Sequence, residues 1–340
     1  MVTVSSSGEI VRDALLWNDT RSAAAATALL EEFGADEIAR RTGSLPVASF
    51  TATKVRWLRD AEPSNAARVA AVALPHDWLT WRLLGFGPAD ESPLGADLDA
   101  LVTDRSDASG TSYWTPSTGE YDLGLFEAAF GRPGREARAG GETRGAGSRS
   151  PADEAENVVI LPRVLGPAEP AGRTVAQAGI PSGLVVGPGM GDNAGAALGL
   201  DAREGDVVIS IGTSGTAFAV TESATTDPSG VVAGFADATG AFLPLIATLN
   251  AARILSSVET LLGVDHDEFA RLALAADPGA AGLALVPYFE GERTPNLPEA
   301  TATLSGLTLG STTRENLARA GVEGLICSSP RAWTPSGRSA

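Results

Sequence analysis

The sequence predicts an α/β protein of two domains. Short β-rich runs and amphipathic helical stretches alternate in both halves, the pattern of sheets covered by helices. A chain of 340 residues is long enough for two hydrophobic cores, and no segment repeats with a solenoid period.

The elements follow in order. Ile10–Val11 and residues 14–17 read as a strand that reaches a polar tip at Asn18 and Asp19. Residues 22–33, rich in Ala and Leu, read as a helix stopped by Gly34, and residues 51–59 have helical spacing at Val55 and Leu58. The apolar run 69–74 precedes Pro75 and a helix through Trp78, Trp81 and Leu84. Residues 132–156 carry Gly, Arg, Ser and Pro with almost no large apolar side chain, so they are expected to form a mobile loop. Beyond it, residues 158–161 and 184–186 read as strands. A glycine turn, GPGMG at 187–191, leads into a helix of small residues at 192–200. Residues 207–211 and 216–220 read as a hairpin closed by Gly212, Thr213, Ser214 and Gly215. Residues 242–262 read as largely helical, 283–288 as a strand, 291–296 as a loop and 312–326 as an amphipathic helix.

Composition closes several functional classes. The chain carries 42 acidic and 25 basic residues, a formal charge of −17, which argues against a phosphate-backbone or anionic-membrane partner. Its one cysteine, Cys327, permits no intrachain disulfide and no multi-cysteine zinc site. His76 and His266, the two histidines, lie far apart, and without a visible partner His76 reads as structural. The start of the chain lacks the basic and apolar regions of a secretion signal, and the charge-free run 174–191 is broken by Gly and Pro. A reducing cytoplasm is the expected compartment.

Two features can carry chemistry. Asp192 follows a glycine turn at the opening of a helix, where a carboxylate can accept a proton from an alcohol or simply cap the helix. Gly212, Thr213, Ser214 and Gly215 offer backbone N–H groups and two hydroxyls that suit a phosphate, or only turn a hairpin. A base and a phosphate cradle are the minimal equipment of phosphoryl transfer. GPGMG lacks the third glycine of a dinucleotide loop. Asp104, Ser106 and Asp107 read as caps or as a functional loop, and Trp57, Trp78 and Trp81 as core.

Seven segments, taken together and in this order, resemble the xylulokinase branch of the FGGY carbohydrate kinases: ALLWNDTRSA, ALPHDWLTWRLLG, TDRSDASGTSYW, GMGDNAGAALG, SIGTSGTAF, PYFEGERTPN and ARAGVEGL. The resemblance implies an actin/hexokinase-like (ribonuclease H-like) fold of two α/β domains that close on sugar and Mg-ATP. It implies ATP and Mg2+ as cofactors and Asp192 as the general base for phosphorylation of D-xylulose. Asn18, Asp19 and Asn193 join Asp192 on the sugar side, and Gly212, Thr213, Ser214 and Gly215 become a phosphate loop. Glu292 and Arg293 fall in a signature loop as a pair that fixes domain arrangement or touches substrate. Expected partners are a small sugar and ATP, with a homodimer left open.

The resemblance divides the chain into a partial N-terminal domain at 1–186, a partial C-terminal domain at 187–326 and a tail at 327–340. Against the family pattern, an opening Asp-x-Gly-Thr element and a glycine-rich adenosine segment after Leu325 are missing. That implies a fold incomplete at both ends, with exposed apolar edges and weak or absent turnover. Two alternatives stay open: an inactive remnant that retains sugar binding, and a kinase for ribulose, glycerol or gluconate.

Overall fold

The computed structural model describes residues 1–139, 157–177, 179–295, 297 and 299–328. The chain forms two compact units. One comprises Met1–Glu204 with Val220–Pro244, and the other Gly205–Ala219 with the residues from Leu245 onward. These units divide the chain elsewhere than residue 186. The segment 220–244 returns to the first unit because Gly234 N–H bonds to the Gly43 carbonyl at 2.9 Å and Ala236 N–H to Ser109 Oγ at 2.9 Å. The ring of Phe235 also meets that of Phe50 edge-on.

The first unit is built on a four-stranded sheet in the order Val2–Val4, Ala71–Ala73, Val159–Leu161, Gly134–Glu136. The first pair is antiparallel and the others are parallel, with Thr3 opposite Val72 and Arg135 opposite Ile160. Side chains alternate across it. Val72, Val159 and Leu161 join Leu29, Val55, Leu58, Phe126 and Phe130 from helices Ala23–Phe33, Thr51–Ala61 and Leu123–Phe130. Val2, Val4, Ala71, Ala73 and Ile160 face Trp81, Leu98 and Leu101 on the other side. Strands covered on both faces need continuous apolar runs, which explains the sequence VAAVAL at 69–74.

Several sequence expectations change. Ile10–Val11 and residues 14–17 form no strand: Val11 N–H reaches the Thr3 carbonyl and Leu15 N–H that of Met1, a spacing of four residues where a ladder needs two. This segment still covers the edge of strand Val2–Val4. Within the predicted loop, Gly134–Glu136 is a strand, and residues 140–156 lie outside the described residues. Phe242–Thr248 is a strand, and only Ala252–Leu262 is helical. Its ladder with Gly215–Ala219 begins at Leu245 opposite Phe218, so the missing N–H of Pro244 costs no bond there.

In the second unit, Val207–Ile211 and Gly215–Ala219 form the predicted hairpin, with Ile211 opposite Gly215. Val207, Ile209 and Ile211 of its outer strand are exposed, whereas the strand Val2–Val4 of the first unit, where an apolar edge was expected, is buried. Helices Ala252–Leu262, His266–Ala275 and Arg314–Ser328 bury Val258, Phe269, Leu272 and Ala318 together. ARAGVEGL is the close-packing face of the last helix: a Cβ on Gly324 would lie 2.7 Å from the Leu285 carbonyl oxygen. That helix runs through Cys327 to Ser328, and the rest of the predicted tail lies outside the described residues. None of the helices is long and apolar enough to cross a membrane among the described residues.

Trp81 is fully buried, stacks on Phe86 and donates Nε1–H to the Asp97 carbonyl at 2.7 Å. Trp81→Ala is expected to destabilise the first unit by about 3–5 kcal/mol. Leu274→Ala, at a side chain 80% exposed, should stay within about 0.5 kcal/mol. Urea unfolding followed by circular dichroism checks both.

Candidate functional site

The candidate site in the first unit grows from the carboxyl ends of two strands. Ala71–Ala73 feeds the helix Pro75–Leu83, and Val102–Thr103 feeds the short helix Arg105–Ser109. Each helix start carries acidic residues, as its partial positive charge favours. Asp77 Oδ2 accepts from Leu74 N–H at 2.6 Å. Asp104 caps the second helix, accepting from Ser106 N–H at 2.7 Å and Asp107 N–H at 3.2 Å.

His76 sits among these carboxylates. Its Nε2 lies 2.9 Å from Asp77 Oδ1 and 3.2 Å from Asp104 Oδ2, and its Nδ1 lies 3.0 Å from Asp107 Oδ2. Burial opposes a charge on the ring. The field of Asp77 and the close carboxylate oxygens of Asp104, Asp107 and Asp77 outweigh it and push the pKa up to about 12. Burial pushes the Asp77 carboxyl up, against the His76 ring. Asp104 is buried too, yet the adjoining His76 ring and the Ser106 hydrogen bond hold its carboxyl below the usual range. The sequence reading of His76 as a residue without partners is thereby corrected.

His76, Asp104 and Asp107 each offer a donor atom within 4.8 Å of the others, the spacing of a metal site. Each ring nitrogen also faces a different carboxylate, an arrangement that suits an imidazolium donating from both nitrogens better than a neutral ring ligating an ion. The cluster is an ion network whose cation is the imidazolium.

Against this network lies the turn that carries Asp192. Gly191 N–H donates to Ser106 Oγ at 2.8 Å, and Ser106 Oγ donates to Asp104 Oδ1. A Cβ on Gly191 would approach Asp107 Oδ1 to 3.1 Å, a tight contact that the carboxylate would have to yield to by a few tenths of an ångström. Gly191, not Asp192, is the N-cap of helix Asp192–Gly199. Asp192 therefore does not serve as the capping side chain. It is exposed at the first helical position, and its Oδ1 accepts from Asn193 N–H at 2.8 Å and Asn193 Nδ2 at 3.0 Å.

Asn18 and Asp19 lie on a separate loop of this unit. Lys54 Nζ holds the Leu16 carbonyl at 2.7 Å, and Asp19 Oδ1 accepts from Arg21 Nε at 2.8 Å. The side-chain and amide hydrogen bonds of Arg21 lower the Asp19 pKa. The Arg21 guanidinium rests over the Trp57 ring at 5.1 Å, with Arg12 over the same ring at 5.4 Å. Trp57 is thus a half-buried platform for two arginines, while Trp81 is core as expected. No hydrogen bond or ion pair joins Asn18 or Asp19 to Asp192 or Asn193 among the described residues.

In the second unit, Gly212 N–H is engaged by the Ser214 carbonyl at 3.0 Å. Thr213 and Ser214 are exposed at the hairpin tip, and their hydroxyls bond to no group among the described residues. A Cβ on Gly215 would lie 2.8 Å from Thr248 Oγ1. Thr248 ends the neighbouring strand, which a buried network secures. Glu292 accepts from Leu249 N–H at 2.6 Å, Arg293 N–H at 2.8 Å and Asn250 Nδ2 at 3.0 Å. The expected Glu292–Arg293 side-chain pair does not form. Glu292 is satisfied by amides, and burial without a carboxylate lowers the pKa of Arg293.

Residues 1–133 match the N-terminal domain of the FGGY family of carbohydrate kinases, and residues 207–329 match its C-terminal domain. The chain belongs to the FGGY family of carbohydrate kinases. The xylulose kinase of Streptomyces coelicolor is 43% identical over 96% of this chain and 58% of its own length. That of Escherichia coli is 31% identical over 93% of this chain and 58% of its own. The solved xylulose kinase of Bifidobacterium adolescentis superposes with a TM-score of 0.81 at 46% identity, covering 96% of this chain and 66% of that one. The fold is the actin/hexokinase-like fold of this family. The chain spans less than two thirds of the length of these relatives. Asp192 falls between the two matched family domains.

The network gives a pH prediction. An imidazolium with a raised folded-state pKa stabilises the fold fully below the unfolded value near 6.5, and that stabilisation falls as pH rises toward about 12. Unfolding free energy is expected to drop between pH 7 and 9, by at most about 1.4 kcal/mol per unit from this group, and less steeply in His76→Gln. Urea unfolding across that range checks the slope. The His76 ring should keep its imidazolium nitrogen shifts through pH 9 in NMR spectra.

Proposed function

We propose that this chain belongs to an ATP-dependent sugar kinase that converts D-xylulose to D-xylulose 5-phosphate, with Asp192 as general base. The observation that carries this reading is the exposed Asp192 carboxylate at a helix start, seated on a buried network and oriented by Asn193. Relatives named xylulose kinase at 43% identity support the choice of sugar.

In this reaction the sugar hydroxyl attacks the γ-phosphorus of Mg-ATP while its proton passes to Asp192. A new P–O bond forms, the bond to the β-phosphate oxygen breaks, and ADP leaves with that electron pair. Asn193 restrains the carboxylate so that one oxygen stays open to the hydroxyl. Asn18 and Asp19 are proposed for the sugar, with Asp19 kept ionised by Arg21. At the hairpin, Thr213 and Ser214 supply hydroxyls and N–H groups for phosphate oxygens, and Gly212 and Gly215 let the turn approach. Mg2+ enters with ATP as part of the substrate. The lone thiol, Cys327, and the acidic surface suit a reducing cytoplasm.

A coupled assay of ADP release from the 340-residue chain tests the reading, with D-xylulose beside D-ribulose, glycerol and D-gluconate. Turnover is expected to be highest with D-xylulose and to fall about 10²–10⁴-fold in Asp192→Asn, with sugar KM little changed. Full turnover in Asp192→Asn would remove the general-base assignment. Sugar binding without turnover in the parent chain would support a binding remnant instead.

A further inference from the structure

We infer that Ser106 is a positioning residue for Asp192, its hydroxyl oriented by Asp104 so that its oxygen holds the Gly191 amide in place. This deepens the kinase reading and rests on it.

The direction of each bond follows from the chemistry of the groups. An ionised carboxylate can only accept, so the Ser106 hydroxyl proton goes to Asp104 Oδ1. The Ser106 oxygen is then left with its lone pairs, and one of them receives Gly191 N–H at 2.8 Å. A serine without that carboxylate would rotate freely and could offer its proton instead. Asp104 cannot turn away, because Oδ1 also accepts the amides of Ser106 and Asp107 while Oδ2 faces His76 Nε2 at 3.2 Å. His76 is held in turn through Nδ1 by Asp107 at 3.0 Å.

The turn fits this floor closely. Added Cβ atoms on Gly189 and Gly191 would approach the His76 ring to 3.3 Å and Asp107 Oδ1 to 3.1 Å. Asp192 is one peptide bond beyond the held amide, so freeing Gly191 displaces the carboxylate directly. Misplacement of a reacting group by about 1 Å can cost 10²-fold in rate. None of Ser106, Asp104 and His76 needs to touch substrate for this effect.

The test compares Ser106→Ala, Ser106→Thr and Asp192→Asn in the full chain. It reads hydrogen exchange of the Gly191 amide by NMR together with kcat and KM for D-xylulose. In Ser106→Ala, exchange at Gly191 should rise about tenfold, from loss of one hydrogen bond to an oriented hydroxyl. Turnover should fall about 10- to 100-fold with KM changed by less than about threefold. Ser106→Thr, which keeps the hydroxyl, should restore both. If Ser106→Ala does not fold, Ser106→Cys fills the site with a slightly larger side chain and a poorer acceptor and should shift both readouts the same way. Unchanged Gly191 exchange, or a fall in turnover that threonine does not rescue, overturns the positioning role. Asp192→Asn turning over as fast as the parent overturns the general-base assignment and the positioning role with it. Gly191 exchange alone then still reports whether the hydrogen bond exists.

Discussion

The half-buried His76 ring organises the acidic helix starts of the first unit. Asp77 and Asp104 are almost wholly removed from solvent and Asp107 partly so, in a chain already carrying a net charge of −17. Three carboxylates this close could not all stay ionised without a counter-charge. The His76 imidazolium supplies it, and the two helix N-termini add partial charge and amide donors. This counter-charge fixes more than stability. It determines that Asp104 is ionised, that the Ser106 proton points at it, and so that the Gly191 amide has an acceptor.

The second unit solves a similar problem differently. Glu292 is also buried, but its oxygens are filled by two backbone amides and the Asn250 side chain, with no cation. The loop it holds ties down strand Phe242–Thr248, whose end pairs with the glycine hairpin. The tip itself is different in kind. Thr213 and Ser214 are exposed and uncommitted, which suits contact with a phosphate that brings its own charge.

Much of this fold was readable because its signals are local. The glycine-stopped helices, the doubly covered strand Ala71–Ala73 and the hairpin around Gly212 and Gly215 each follow from residues within one window. Phe242–Thr248 was not, because a short apolar run fits a buried strand and a buried helix equally well. The contacts of neighbouring strands decide it, and they come from residue 215 onward. The return of 220–244 to the first unit depends on backbone contacts with Gly43 and a hydrogen bond to Ser109, which no periodicity announces.

The site was half legible for the same reason. Asp192 and the hairpin are proposed because glycine flanks them, and Asn18 with Asp19 because of the family segment they sit in. The partners of His76, beyond its neighbour Asp77, were missed because Asp104 and Asp107 lie on another element and only strand pairing and helix entry bring them together. A signal existed in hindsight: PHD and TDRSD both place carboxylates at helix starts directly after apolar strands. Two acidic helix starts that meet need a cation between them, and this chain has one lysine and two histidines for roles that arginine does not fill. Searching a sequence for its scarce cations beside such starts would have pointed to His76 before any geometry was known.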